Sequence, residues 1–316
     1  TTLPDKVMKE KVHHSGAGRI GRLNMYTMSL YESGDSSGDA SLLKMLEGTQ
    51  ETVNTGSIEI SQLAKLIIRG GWPANINVDE KKSGIIPKSY IDSILNIDMN
   101  AGEEKRRDKN KMKMLLKSLA RNESSIVGDK TILKDIEDCE NEVERLSSRN
   151  TVIDYLDVLD RLHLIENQEA YGENYRSPSR VGKSPKRHLT DPSLSCACLG
   201  LTPEKLLKDF NTFGFMFESL VERDLRIYMD YLDGHLYHFR DNVTGLEVDS
   251  ILEFSDGEYA AVEIKLGYNQ VEDAKKNLMK FYNNMVKKPA FMCIVFGICP
   301  AIIKDPETGI YIVPIT

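Results

Sequence analysis

No run of about 18 consecutive apolar residues occurs in this chain of 316, so no segment is long enough to cross a bilayer as a helix. Its opening residues, TTLPDKVMKEKVHHSG, lack the apolar core of a secretory signal. Cysteine is sparse and odd in number: Cys139, Cys196, Cys198, Cys293 and Cys299 are scattered. No second Cys or His pair stands near Cys196 and Cys198 to complete a zinc site, so reduced thiols and a cytoplasmic location are expected. Positive charge is in deficit, with 41 Lys and Arg against 48 Asp and Glu. That balance argues against a general nucleic-acid coat but leaves room for a local basic patch. Tryptophan occurs once, as Trp72 between Gly70-Gly71 and Pro73, and is expected to fill a core at a domain junction.

Nucleotide motifs are missing too. The chain has no Gly-x-x-x-x-Gly-Lys-[Ser/Thr] and no acidic Walker B strand, so it assembles no ATP site by itself. Gly16, Gly18 and Gly21 have the spacing of a dinucleotide loop, but no strand precedes them and no helix follows. Arg22 to Leu30 reads instead as a strand, Ser33-Gly-Asp-Ser-Ser-Gly as a turn, and His13-His14 as a solvated loop.

What is present suits two or three modest domains, since 41% hydrophobic residues over this length can build separate cores. Helical patterns run from Ser41 to Glu47, from Ser61 to the stop at Gly70-Gly71, and from Ser89 to Ile97. Glu103 to Arg121 has a basic front and an apolar stripe through Met112, Leu115, Leu116 and Leu119. After a short segment at Thr131 to Ile136, one long helical run is expected from Glu140 to Leu164, with Val152, Tyr155, Leu156, Leu159 and Leu162 in helical period. An extended piece to Tyr175 and a basic polar loop from Ser177, SPSRVGKSPKRH, follow. Three helices and then a β-rich excursion is the winged-helix pattern, with Asn150 opening the third helix. Asp154, Asp157 and Asp160 on that helix suit a phosphate backbone poorly, which favours a protein partner or a homo-oligomer contact there over DNA.

From Thr202 the pattern changes. Phe215 to Asp230 is an amphipathic helix with Phe217, Leu220, Val221, Leu225 and Tyr228 on its buried face and Glu218 near the boundary. Strands are expected at His235 to Arg240, Leu246 to Phe254 and Tyr259 to Leu266, then a helix from Val271 to about Met285. An apolar strand at Ala290 to Phe296 and a last one at Gly309 to Ile315 complete the chain. Within it, Gly245 to Gly267 (GLEVDSILEFSDGEYAAVEIKLG) has the form of a β-hairpin. Glu263 and Lys265 lie two apart and share a face of its second strand, and Asp249 lies on the first. Two acids and a lysine converging there outline a divalent-metal site, in which carboxylates hold a hard cation and the lysine steadies a phosphate or a water. A solvated surface hairpin is the plainer alternative.

That order of elements, with an acid in the helix, Asp on the second strand and Glu-x-Lys on the third, resembles the core of the PD-(D/E)XK restriction-endonuclease-like fold. The resemblance implies Glu218 as the helix acid, Asp249 as principal metal ligand, Glu263 as second ligand and Lys265 as catalytic lysine, with Mg²⁺ or Mn²⁺ as cofactor. A wider resemblance rests on HSGAGRIGRL, MSLYESGDS, LAKLIIRGGWPAN, SPKRHLTDPSL, FGFMFESLVERDLRIY, GLEVDSILEF and AAVEIKLG. These are similar to bacterial and archaeal AAA-type ATPases that carry such a nuclease-like C-terminal domain.

In that family a P-loop unit comes first, and this chain departs by lacking it. The resemblance therefore implies a fragment beginning just after the ATPase sensor region, with ATP bound only in the full-length context. There Arg19 and Arg22 would face the phosphates; the simpler reading makes both solvated or salt-bridged. The expected fold is mixed α/β: a remnant of the ATPase core and helical lid over 1–100, a winged-helix-like domain over 101–200, and an αβββαβ nuclease-like domain over 201–316. The expected function is a metal-dependent, DNA- or RNA-associated domain without a membrane role. The alternative is a non-catalytic interaction module built on the same fold.

Overall fold

In the computed structural model, residues 23–96, 107–137, 148–177 and 179–316 are described. Arg19, Arg22, His13-His14, the glycines at 16, 18 and 21, Cys139, the basic front 103–106 and residues 140–147 lie outside them. The N-terminal part holds α1 (Leu42–Leu46), β1 (Val53–Asn54), α2 (Ile60–Arg69) and α3 (Ile85–Asn96). Then come α4 (Lys109–Arg121), β2 (Ser125–Ile126), α5 (Asp129–Glu137), α6 (Arg149–Arg161) and β3 (Ile165–Gln168). They are followed by α7 (Ser179–Gly182), β4 (Lys186–Leu189), α8 (Pro192–Leu199) and α9 (Pro203–Leu206). The C-terminal part holds α10 (Phe210–Tyr231), β5 (His235–Arg240), β6 (Glu247–Glu253), β7 (Tyr259–Lys265) and α11 (Val271–Asn284). It closes with β8 (Phe291–Phe296), β9 (Ala301–Lys304) and β10 (Tyr311–Pro314).

The chain is α/β, organised on two sheets among the described residues. The larger has the order β1-β9-β10-β8-β7-β6-β5, with β8 parallel to both β7 and β10 and the other pairs antiparallel. Alternation along its strands divides the apolar residues between two faces. Val262, Ile264, Cys293 and Val295 pack with Phe213, Phe217, Leu220 and Val221 of α10. Tyr259, Ala261, Ile294 and Phe296 pack with Val271, Ala274, Leu278 and Phe281 of α11. Burying each such large apolar side chain contributes about 1.5–3 kcal/mol, so the α/β/α sandwich is held chiefly by these two layers. Helix α10 starts five residues earlier than its apolar period predicts, because Asp209 caps it by accepting from Thr212 N.

The smaller sheet has the order β2-β4-β3, all antiparallel; β2 lies between α4 and α5, and β3 and β4 come after α6. Strand after first helix, two more helices, then a hairpin is the winged-helix arrangement. Its third helix does not continue back to Glu140: Ser148 is extended and its Oγ accepts from Thr151 N at 3.3 Å, so α6 begins at Arg149. The basic segment expected as a loop contains β4, since Lys186 to Leu189 pair with both β2 and β3.

One other expectation changes. Residues 23–29 form no strand; Met28 N donates to Gly71 O at 2.7 Å and Leu30 N to Asp224 Oδ2 at 3.0 Å, so a turn and a buried carboxylate take the place of a neighbouring strand. The described residues 23–96 contribute to two cores. Leu30, Met45, Leu63 and Ile67 join the α10 side of the large sheet, whereas Ile91, Ile94 and Leu95 of α3 join the helical core of α4, α5 and α6.

Candidate metal centre

Two features of the large sheet set the position of the acids. In β6 the register slips, with Tyr237 opposite Ile251 but Phe239 opposite Val248, so Asp249 and Ser250 together face His238. Such a bulge re-aims the extra side chain. The Asp249 carboxylate turns toward β7, where Oδ2 accepts from Ile264 N at 2.8 Å and from Lys265 Nζ at 3.0 Å. Lys265 Nζ also lies 2.6 Å from Glu263 Oε2, as expected for neighbours on one strand face. Asn277 of α11 holds the other Glu263 oxygen at 2.7 Å and donates to Glu247 O at 2.6 Å. Lys265 is thus in direct contact with both Asp249 and Glu263.

Glu218 reaches the cluster from α10, on the other side of the sheet, through a residue that sequence reasoning missed. Lys186 of β4 donates to Glu218 Oε1, to Glu222 Oε1 at 2.8 Å and to the Asp249 carbonyl at 3.4 Å. Glu222, one turn from Glu218, also accepts from Ser250 Oγ at 3.1 Å. A period-two reading of PKRHL places Lys186 and His188 on one face, the signal that would have found them. His188 Nε2 lies 3.0 Å from Gln168 Oε1 and 3.4 Å from Glu222 Oε2. Its Nδ1 lies 3.3 Å from Oε1 of Glu123, a buried acid that also accepts from Leu189 N, Ser195 Oγ and Ser219 Oγ.

Burial and charge pull these groups apart. Burial alone would raise Asp249, but the Lys265 and Lys186 ammoniums and the Ile264 amide hold it below the usual range. Burial, with the Asp249 charge beside it, pushes Glu263 up to about 7. Glu218 is raised well above its ordinary value by burial, against the pull of Lys186 and with Asp249 and Glu222 adding repulsion. Both lysines rise, because the carboxylates outweigh the burial that would lower them.

Four carboxylates therefore share two ammoniums. Their oxygens are hard donors of the kind Mg²⁺ and Mn²⁺ take. Glu222 Oε2 is buried with no hydrogen-bond partner, and Glu218 and Glu263 are pushed toward protonation by burial first, with the neighbouring carboxylates adding repulsion. On donor chemistry and charge, the residues fit a divalent cation. Among the described residues no group of three or more His, Cys, Asp or Glu is gathered to hold a metal as it stands; here the two lysines stand between the acids. Burial pushes the Cys196 thiol well up and the Cys198 thiol up to about 12.

Two family models match the chain. Residues 60–205 match a domain of unknown function (DUF8612), and residues 213–316 match another domain of unknown function (DUF4143). No curated protein and no solved structure shows a significant match. Glu218, Glu222, Asp249, Glu263 and Lys265 lie in the DUF4143 stretch, while Lys186, His188, Gln168 and Glu123 lie in the DUF8612 stretch. The cluster is shared between the two. Cavities of about 510 Å³ between α10 and the sheet, and about 490 Å³ between α3, α4 and α8, have none of these residues in their linings. No helix among the described residues is long and apolar enough to cross a membrane.

Proposed function

We propose that the C-terminal unit binds a divalent cation and acts as a nuclease-like domain on nucleic-acid phosphodiesters. We further propose that it serves an AAA-type ATPase of the kind the sequence resembles, in which a P-loop unit absent from this sequence binds ATP. The observation that carries this reading is the contact of Lys265 with both Asp249 and Glu263 at a β-bulge, inside a cluster with two more carboxylates than ammoniums. Asp249 and Glu263 would hold Mg²⁺ or Mn²⁺, with Glu218 next to them. The ion would supply charge to a phosphoryl oxygen and an acidified water. Asp249, held low by the ammoniums beside it, would ligate as the carboxylate; Glu263, pushed up to about 7, would lose any proton it carries; and Lys265 would hold the attacking water or a phosphate oxygen.

The test is thermal unfolding in millimolar Mn²⁺ or Mg²⁺. A ligand at about 100 times its Kd adds about 2.7 kcal/mol of stability, so the Tm should rise in the native chain and stay fixed in Asp249→Ala. Cleavage of single-stranded, duplex and branched DNA in Mn²⁺ should vanish in Lys265→Ala. Cleavage that survives in both Lys265→Ala and Glu263→Ala would place the activity elsewhere.

A second reading makes the fold a platform for partner proteins. It is favoured by the two lysines that already engage the acids, and by Asp154, Asp157 and Asp160 on α6. An unchanged Tm at millimolar cation would select it.

A further inference from the structure

We infer that Lys186 is a positioning residue for the cation site: carried in from the winged-helix strand, it holds Glu218 as a resident cation and keeps that acid from ligating a metal. The inference rests on the divalent-cation reading of Asp249 and Glu263. Its basis is where the ammonium sits. An ammonium has three N–H donors, and Lys186 has three oxygens for them, on Glu218, Glu222 and the Asp249 backbone. The strand that carries it is fixed on both edges, with Lys186 paired to Ile126 on β2 and to Gln168 on β3. The charge is therefore delivered to one place by the whole small sheet.

The two glutamates are not equivalent partners. The Glu222 side chain is fully buried, with Ser250 on one oxygen, whereas Glu218 keeps 17% of its side-chain surface accessible. Glu222 is the fixed counter-charge and Glu218 the one with room to move. If Glu218 turns toward Asp249 to complete a ligand set, Lys186 keeps Glu222 and is not left as an unpaired buried charge, which would be prohibitive. While Lys186 holds Glu218, its positive charge beside Asp249 also opposes the approach of a dication. The helical unit thereby sets the cation affinity of the sheet unit. The imidazole of His188, beside Glu222, stays neutral because burial lowers it to about 3, so it does not replace the ammonium.

Isothermal calorimetry with Mn²⁺ on the full chain tests this. Lys186→Met should tighten Mn²⁺ binding by about tenfold or more, within the usual 5- to 150-fold of a coupling between sites. Lys186→Arg, which keeps the charge, should stay within about threefold of the native chain. Glu218→Gln should change the native Kd little but weaken binding in the Lys186→Met background, because only there is Glu218 free to ligate. If Lys186→Met does not fold, Lys186→Met/Glu222→Gln removes one charge of each sign and should show the same tightening. Binding that is unchanged or weaker when Lys186 is neutral overturns the inference and leaves the cation reading standing. No binding in any variant overturns both.

Discussion

Glu123 is a buried acid against which, among the described residues, no lysine or arginine is bonded. Its oxygens accept from Leu189 N, Ser195 Oγ and Ser219 Oγ, and the His188 ring faces it. Gln168 spends its amide N–H on Tyr237 O at 2.8 Å, so its oxygen faces His188 Nε2 and the imidazole donates from that nitrogen. Nδ1 is then a bare acceptor without a hydrogen-bond partner, and Glu123 Oε1, 3.3 Å away, would donate to it if the carboxyl carried a proton. Burial raises Glu123 to about 7, in keeping with that proton. The folded chain holds one proton more than the unfolded chain between about pH 4.5 and 7, so this group's contribution to stability falls as pH rises through that window. The loss is on the order of 3 kcal/mol. His188 works in the opposite direction: its depressed value means stability lost as pH falls from about 6.5 toward 3. Only a difference measurement separates the two. Glu123→Gln, which donates to Nδ1 at every pH, should gain on the native chain steadily from pH 5 to 7 and hold that gain at pH 8 in urea unfolding. A stability difference that is the same at pH 5 and pH 8 would show that Glu123 stays ionised in the fold.

Helix α2 ends where Gly70-Gly71 marks its stop, and the reason is closer packing than a helix terminus alone requires. Gly70 has φ +67°, a conformation side chains rarely adopt, and a Cβ there would collide with Ser193 and Asp191. A Cβ on Gly71 would strike the Met28 carbonyl, the group beside the Met28 N–H that bonds Gly71 O. Gly71→Ala should therefore cost about 1–3 kcal/mol, read as a lowered urea midpoint at unchanged m-value. A midpoint within error of the native one would mean that the 23–30 segment is free to shift. Elements with a clean period were legible: α4, α6, α10, α11 and the strands β5 to β8 announce themselves by apolar spacing. So was the shared face of Glu263 and Lys265, since it follows from alternation alone. The short strands β1, β2 and β9 were not, because two to four residues carry no period. Strand β4 was hidden for another reason. Its basic residues read as solvent-facing, and only tertiary packing supplies Glu218, Glu222 and Asp129 as their partners.

The helical core and the large sheet are joined by α8, which gives Leu194 to the first and Cys196 to the α10 side of the second, and by a set of polar contacts. Tyr171 N donates to His238 O at 2.7 Å and His238 N to Glu169 O at 2.9 Å, which attaches the wing to the edge strand β5. Arg180 lies over Tyr171, Tyr175 and Tyr237 at 5.0–5.2 Å and bonds both oxygens of Glu253, at 2.8 and 3.3 Å. With Lys186 and Glu123 buried at the same junction, separating the units would leave several charged and polar groups without partners. Unfolding one unit while keeping the other is therefore costly, and the chain should unfold as a single cooperative body in spite of its length. Trp72 is the sole tryptophan and packs on the helical core, with its Nε1 donating to Ser193 Oγ at 2.9 Å, so its fluorescence reports on that unit. Far-UV circular dichroism reports on both. The two curves should coincide in urea, and Arg180→Ala should displace both equally by on the order of 3 kcal/mol, the cost of breaking a mostly buried ion pair. If Arg180→Ala separates the two curves, with the Trp72 transition complete while part of the dichroism persists to higher urea, the wing is a detachable contact. In that case the ammonium of Lys186 could be withdrawn from the acids without unfolding the sheet that holds them.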